Sequence, residues 1–272
     1  MGCPLSPFLF ILSAELLSNK IRQDPKIEVI KILEKEIKLS QFADDTNLFC
    51  ANLESVKEAL KTLDDFGKLS GLTLNVKKSK AMWLGKWEKN RSYHLDLKWM
   101  RSPIRILGIH FSYNARENDE LNFHLKMRKL QTNLDIWRAI SLTLFGKVMI
   151  IKSLGMSQLV YSASTLNVPN GISSILRPKL FSYLWNNKKD KIKREGLYQD
   201  IHKGGLHMVY SKIMFKALKL AWIPRLLTPG NPNWKTIPDH YLKRVGDLNF
   251  LLRCNYDEKY LAPLLIDRKS VV

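Results

Sequence analysis

Two adjacent carboxylates, Asp44 and Asp45, follow a strand-like run ending at Phe42-Ala43 and precede another, Thr46 to Ala51. Side by side at the tip of a hairpin, two ionised acids repel each other, so a fold that holds them there commonly gains a divalent cation in return. Asp is also an ordinary turn residue, and taken alone one such pair between strands reads more readily as a solvated turn. Its neighbours along the chain decide between the two.

The elements that would position the pair are legible on both sides of it. Leu9, Leu12 and Leu16 recur at helical spacing, and a helix is expected from about Pro7 to Arg22. Leu39, Phe42, Leu48 and Phe49 would pack beneath the hairpin while the acids project from its turn. A second helix, about Leu53 to Ser70, carries Val56, Leu60, Leu63 and Phe66, with Gly71 suited to its C-terminal side. Strands are expected near Leu72 to Asn75, Ala81 to Leu84 and Ile106 to Phe111. After Asn118 the pattern turns helical. Phe123, Met127, Leu130, Leu134 and Trp137 form one stripe, Leu144, Val148, Ile151, Gly155 and Leu159 a second, and Leu176, Leu180 and Leu184 a third. A polar, basic break at Asn186 to Lys193 and a turn at His202 to Leu206 come before a last helical pattern, Met208 to Leu227.

Four blocks stand in order here. They are Gly2-Cys3-Pro4-Leu5-Ser6-Pro7 running into the apolar stretch from Phe8 to Ile21; Phe42-Ala43-Asp44-Asp45; the run from Phe66 through Ser70-Gly71-Leu72-Thr73-Leu74-Asn75 to Lys77-Lys78-Ser79-Lys80; and Ile106 to Phe111. In this order and spacing they resemble the palm of reverse transcriptases from LINE-type, non-LTR retrotransposons. The resemblance implies an α+β fold: a partial antiparallel palm over residues 1–118, a helical thumb over 119–187 and a basic, mostly helical connector over 188–272. An RNA-dependent RNA polymerase is the rival among palm enzymes, but the Phe-Ala-Asp-Asp turn and the Ser-Gly-Leu-Thr-Leu-Asn block match reverse transcriptases better.

By that resemblance Asp44 is the principal ligand of Mg²⁺, with Mn²⁺ as the alternative, and Asp45 is its neighbour in a two-metal nucleotidyl transfer. Lys78 is the general acid or phosphate contact on the pyrophosphate side, a role for which Lys77 and Lys80 compete. Gly2, Pro4 and Ser6 open the loop and helix beside the template and incoming nucleotide. Gly108 belongs to the strand-turn block that grips the primer, although a glycine there would also suit a bulge. The implied partners are an RNA template, a DNA primer and deoxynucleoside triphosphates, and the family's compartments are cytoplasm and nucleus. The family has a glutamine before the block glycine, where Met1 stands, and a third metal-binding acid further upstream. The expectation is therefore a truncated chain, inactive as a polymerase by itself. The alternative is a non-catalytic, nucleic-acid-binding remnant of a retroelement.

Charge supports a polyanionic partner. The chain of 272 residues carries a formal charge of +19. Residues 1–118 account for +5, residues 119–219 for +11 and residues 220–272 for +3. Lys147, Lys152, Lys188, Lys189, Lys191, Lys193 and Arg194 are the expected contacts to the phosphate backbone, with Tyr183, Trp185 and Tyr198 interleaved as stacking faces. Cys3, Cys50 and Cys254 are widely separated, which indicates neither a disulfide framework nor a zinc knuckle. Phe8 to Ala14 imitates a signal peptide without a preceding basic residue, and Met1-Gly2 with Ser6 imitates a myristoylation signal. No apolar run reaches the ~18 residues of a membrane span.

Overall fold

The computed structural model describes residues 3–253 apart from residues 34, 90–94, 231 and 245. Contacts divide the chain into two units, one holding Met1–Arg101 and the segment from Pro229 onward, the other Ser102–Thr228. Helices with short, mostly antiparallel strand pairs give the α+β class that the sequence implied.

In the first unit α1 (Ser6–Gln23) has Pro7 in its first turn, where a missing N–H leaves no hydrogen bond unmade. Two antiparallel pairs follow, β1 (Ile30–Ile32) with β2 (Lys35–Ile37) and β3 (Leu39–Phe42) with β4 (Asp45–Leu48). Ser18 is buried in α1 and bonds the Ala14 carbonyl at 2.9 Å and Gln41 Oε1 at 2.5 Å, which ties the helix to the strand leading into the acidic turn. α2 (Leu53–Ser70) begins where Asn52 Oδ1 accepts the Ser55 N–H at 2.8 Å and ends at Gly71, whose φ of 76° is the left-handed conformation that glycine adopts without strain. Its most buried positions are Ser55, Ala59 and Thr62, while Val56, Leu60, Leu63 and Phe66 are half-buried. Small side chains on that line let α1 pack closely on α2. The core of this unit is correspondingly small: Ile21, Ile27, Leu39 and Ala59.

Two expected strands of this unit do not form as read. Leu72 to Asn75 has no ladder, because Asn75 is occupied with a local turn: its Oδ1 accepts Lys78 N–H at 3.1 Å and its carbonyl accepts Ser79 N–H at 2.9 Å. Ala81 to Leu84 shrinks to β5 (Lys80–Ala81), parallel to β6 (Lys98–Trp99). Beyond it Trp83 stacks on Trp99 with ring centroids 4.5 Å apart.

The second unit opens with β7 (Ile104–Ile106) and β8 (Ile109–Phe111), antiparallel and joined by Leu107-Gly108. The single strand expected over Ile106 to Phe111 is thus a two-residue hairpin. Both turn residues have positive φ, 47° and 83°, as a type I′ turn requires. α3 (Ala115–Asp119) runs through a π-helical turn, Glu120–His124, into α4 (Leu125–Arg138). In the same way α5 (Leu144–Ile150) runs through Ile151–Met156 into α6 (Ser157–Thr165). α7 (Ile172–Leu184), α8 (Arg194–Tyr198), α9 (Ser211–Leu220) and α10 (Ile223–Leu227) complete it. The three predicted stripes meet as one core, in which Leu130, Leu134, Ile151, Leu159 and Leu176 are wholly buried. Gly155 sits where a Cβ would lie 3.6 Å from both Leu130 and Leu134, so its small size is what lets these helices approach. The last predicted helix starts later, at Ser211, and breaks at Ala221-Trp222 ahead of Pro224. No helix among the described residues is long and apolar enough to cross a membrane.

Candidate metal and nucleic-acid surfaces

The register Leu39↔Leu48 through Phe42↔Asp45 leaves Ala43 and Asp44 as the whole turn between β3 and β4. Ala43 has φ 51°, left-handed for a residue with a Cβ, at a cost of about 1 kcal/mol. Strain of this kind persists only where the surroundings impose it, here the two-residue connection between paired strands. Asp44 lies at the tip and Asp45 opens β4; both are exposed, and neither carboxylate has a hydrogen-bond or ion-pair partner among the described residues. Phe42 is 67% exposed rather than packed beneath. The reason is register: the small core ends at Leu39 and Leu48, and Phe42 stands a turn nearer the tip.

No group of three or more acid, histidine or cysteine side chains gathers among the described residues. The donor set here is therefore two oxygen-bearing carboxylates. That fits Mg²⁺, which is held through one or two carboxylates and takes its remaining oxygens from substrate phosphates and water.

Lys78 is exposed, and so are Lys77 and Lys80, but only Lys78 has its backbone N–H fixed by the Asn75 side chain. Pro4 and Ser6 are exposed at the start of α1, with the Ser6 N–H on the Cys3 carbonyl at 3.0 Å. Gly2 lies outside the described residues.

In the second unit Gly108 occupies a hairpin turn and not a bulge. The Tyr161 hydroxyl donates to the Leu107 carbonyl at 2.8 Å, and a Cβ on Gly108 would lie 3.5 Å from the Tyr161 ring, so α6 braces this turn. The polar anchor of the same hairpin is Asn122, fully buried, whose Oδ1 accepts His110 N–H at 2.9 Å and whose Nδ2 donates to the His110 carbonyl at 2.7 Å. Sequence reasoning passed over Tyr161 and Asn122; the one signal for Asn122 was a polar residue beside Phe123 on an otherwise apolar stripe.

The basic residues separate into two groups. Lys147 departs from the expected phosphate contact: it is buried, its Nζ donates to Asn186 Oδ1 at 2.7 Å and the Leu184 carbonyl at 3.3 Å, and its ammonium lies 5.9 Å from the Tyr183 ring centre. Burial pushes its pKa down, and the Arg138 charge pushes the same way. Lys126 and Lys219 are likewise drawn inward, donating to Ser162 Oγ at 2.5 Å and the Ser164 carbonyl at 3.4 Å, with pKa values lowered by burial. The expected stacking faces of Tyr183 and Trp185 are also lost, since both are core residues, and Tyr198 stacks on Tyr210 at 5.0 Å. Lys188, Lys189, Lys191 and Lys193 are exposed, and Lys152 is half-buried on the π-helical turn. Arg194 is fixed: its Nε donates to Asp190 Oδ2 at 2.6 Å, and its guanidinium lies 4.3 Å from the Phe181 ring centre.

Residues 1–111, which include the acidic turn, the Asn75 turn and the β7–β8 hairpin, match the family described as reverse transcriptase (RNA-dependent DNA polymerase). The chain is also similar to the transposon TX1 uncharacterized 149 kDa protein of Xenopus laevis, 23% identical over 254 residues that cover 92% of this chain. It spans 19% of that protein's length.

Proposed function

We propose that this chain, whose residues 1–111 match the reverse transcriptase family, is part of an RNA-directed DNA polymerase of a LINE-type retrotransposon. Residues 1–118 are its palm portion, 119–187 its thumb and 188–272 its connector. Asp44 and Asp45 hold Mg²⁺ on the exposed hairpin, and Lys78 meets the pyrophosphate side of the incoming nucleotide. A divalent ion held by Asp44 and Asp45 would supply positive charge for activating the primer hydroxyl and neutralising the leaving pyrophosphate. Pro4 and Ser6 border template and nucleotide, and the Gly108 turn follows the primer. Lys152, Lys188, Lys189, Lys191 and Lys193 contact the phosphates of an RNA template and DNA primer; Lys147 is left out of this set because its ammonium is spent inside the fold.

The observation that carries the reading is a pair of adjacent, exposed carboxylates at a two-residue turn, without partners among the described residues, inside the segment that matches the family. The test is incorporation of deoxynucleotides on a primed RNA template with Mg²⁺, by the chain alone and joined to the upstream sequence of its element. Synthesis that falls at least about 100-fold in Asp44→Asn supports the reading. Synthesis unaffected by that substitution, in a protein of unchanged fold, sinks it.

A binding-only remnant is the second reading, favoured by the charge of residues 119–219, which could hold nucleic acid without the hairpin. Salt-sensitive binding with no synthesis from either protein would select it.

A further inference from the structure

A shallow, largely open pocket of about 420 Å³ lies at the C-terminal end of α7, between that helix and the segment leading into α8. Its construction is local and specific. Asn186 and Asn187 both have left-handed φ, 50° and 61°, a conformation asparagine tolerates better than most residues. They reverse the chain, with the Asn187 N–H on the Ser182 carbonyl at 2.8 Å and the Lys188 N–H on the Trp185 carbonyl at 3.0 Å. The reversal brings Lys188 and Lys189 to the wall of the cavity. Opposite charge there is limited to Asp190, which Arg194 already engages. The lining therefore retains uncompensated positive charge.

Arg194 determines what kind of anion fits. Phe181 is buried against one side of its guanidinium, and Asp190 holds it through Nε. A planar cation fixed this way, half-buried and lining a cavity, is a stacking platform for a second flat group. In the same wall the Ser182 hydroxyl donates to Asn187 Oδ1, which leaves the Asn187 Nδ2 donors and a Ser182 Oγ lone pair for the edge of that group.

We propose that this cavity holds one unpaired nucleotide of a nucleic-acid strand, its base stacked on Arg194 and its phosphate between Lys188 and Lys189. The proposal rests on the nucleic-acid reading above for its class of ligand, and is independent of the acidic hairpin. A paired duplex does not satisfy the site, because its base faces are covered by neighbouring bases; single strands expose them.

The test is fluorescence anisotropy with three probes of one length: a single strand, a duplex, and a strand made wholly of abasic residues, with the single strand run as RNA and as DNA. Arg194→Lys keeps the charge and the reach to Asp190 but removes the plane. It is expected to weaken single-strand binding about tenfold, on RNA, DNA or both, and to leave duplex and abasic binding unchanged. Lys188→Gln with Lys189→Gln, both exposed, is expected to weaken the ordinary and abasic strands together and to flatten the salt dependence of single-strand binding by a slope of about 0.7, one phosphate's worth. Equal single-strand binding by Arg194→Lys and the unsubstituted chain overturns the proposal, as does an equal loss on the abasic strand. Absence of any binding by the unsubstituted chain at low salt would overturn the nucleic-acid reading as well, so the two failures are distinguishable.

Discussion

Replacing Lys147 separates a surface phosphate contact from an interior lysine. Alanine removes three methylenes of a buried stem, worth about 0.8 kcal/mol each, so about 2.4 kcal/mol in all. It also removes the 2.7 Å bond to Asn186, worth about 1 kcal/mol net, while relief from burying a charge beside Arg138 offsets part of the loss. Lys147→Ala should therefore cost about 2–3 kcal/mol, and Lys147→Met, which keeps the stem, less than about 1 kcal/mol. Chemical denaturation followed by circular dichroism measures both. The pH dependence has a definite sign. Since the folded pKa lies below the ordinary lysine value of 10.5, the unfolded chain binds more protons between the two, and stability rises with pH across that window. The Met variant should lack this rise. Neither substitution should change the salt slope of nucleic-acid binding, to which every lysine that neutralises a duplex phosphate adds about 0.9. A Lys147→Met protein of normal stability whose binding is weakened and whose slope is flattened would refute the interior placement.

Gly205→Ala should destabilise the second unit by at least about 2 kcal/mol in thermal unfolding, because the new Cβ would lie 2.1 Å from the Gln199 carbonyl oxygen, a backbone atom that also accepts His207 N–H. An unchanged melting temperature would show that this loop is not so tightly packed. Leu107→Asn should stabilise by about 1 kcal/mol, since Asn-Gly suits a type I′ turn far better than Leu-Gly; a loss of stability in the same measurement would exclude that turn. Asn122→Leu should cost about 2–4 kcal/mol by removing the Asn122 bonds to the His110 N–H and carbonyl, and hydrogen exchange should quicken first at His110.

The features legible in the sequence are those determined by near neighbours along the chain. The helix from Leu53 to Ser70 follows from apolar periodicity and from Gly71, and the structure has it at those bounds. The stripes through Leu130, Val148 and Leu176 follow from helical spacing, and all three are buried. The acidic pair could be placed at a hairpin tip because a short polar turn between strand-like runs leaves few other connections. Strands were less legible, since a strand exists only if a partner pairs with it. Leu72 to Asn75 has the composition but no partner, and Ile106 to Phe111 pairs with itself through Leu107-Gly108.

By itself, then, the sequence determined the order of blocks, the helical faces and the acidic turn, all of which depend on contacts a few residues apart. Which lysines face solvent was decided by tertiary structure alone. Lys147 and Lys188 look alike in the chain, but Lys147 meets the Leu184 carbonyl, 37 residues away, while Lys188 stands on a reversal built by two left-handed asparagines. The fate of Tyr183 and Trp185 was decided the same way, because a ring is a stacking face or a core residue according to what the rest of the chain lays over it.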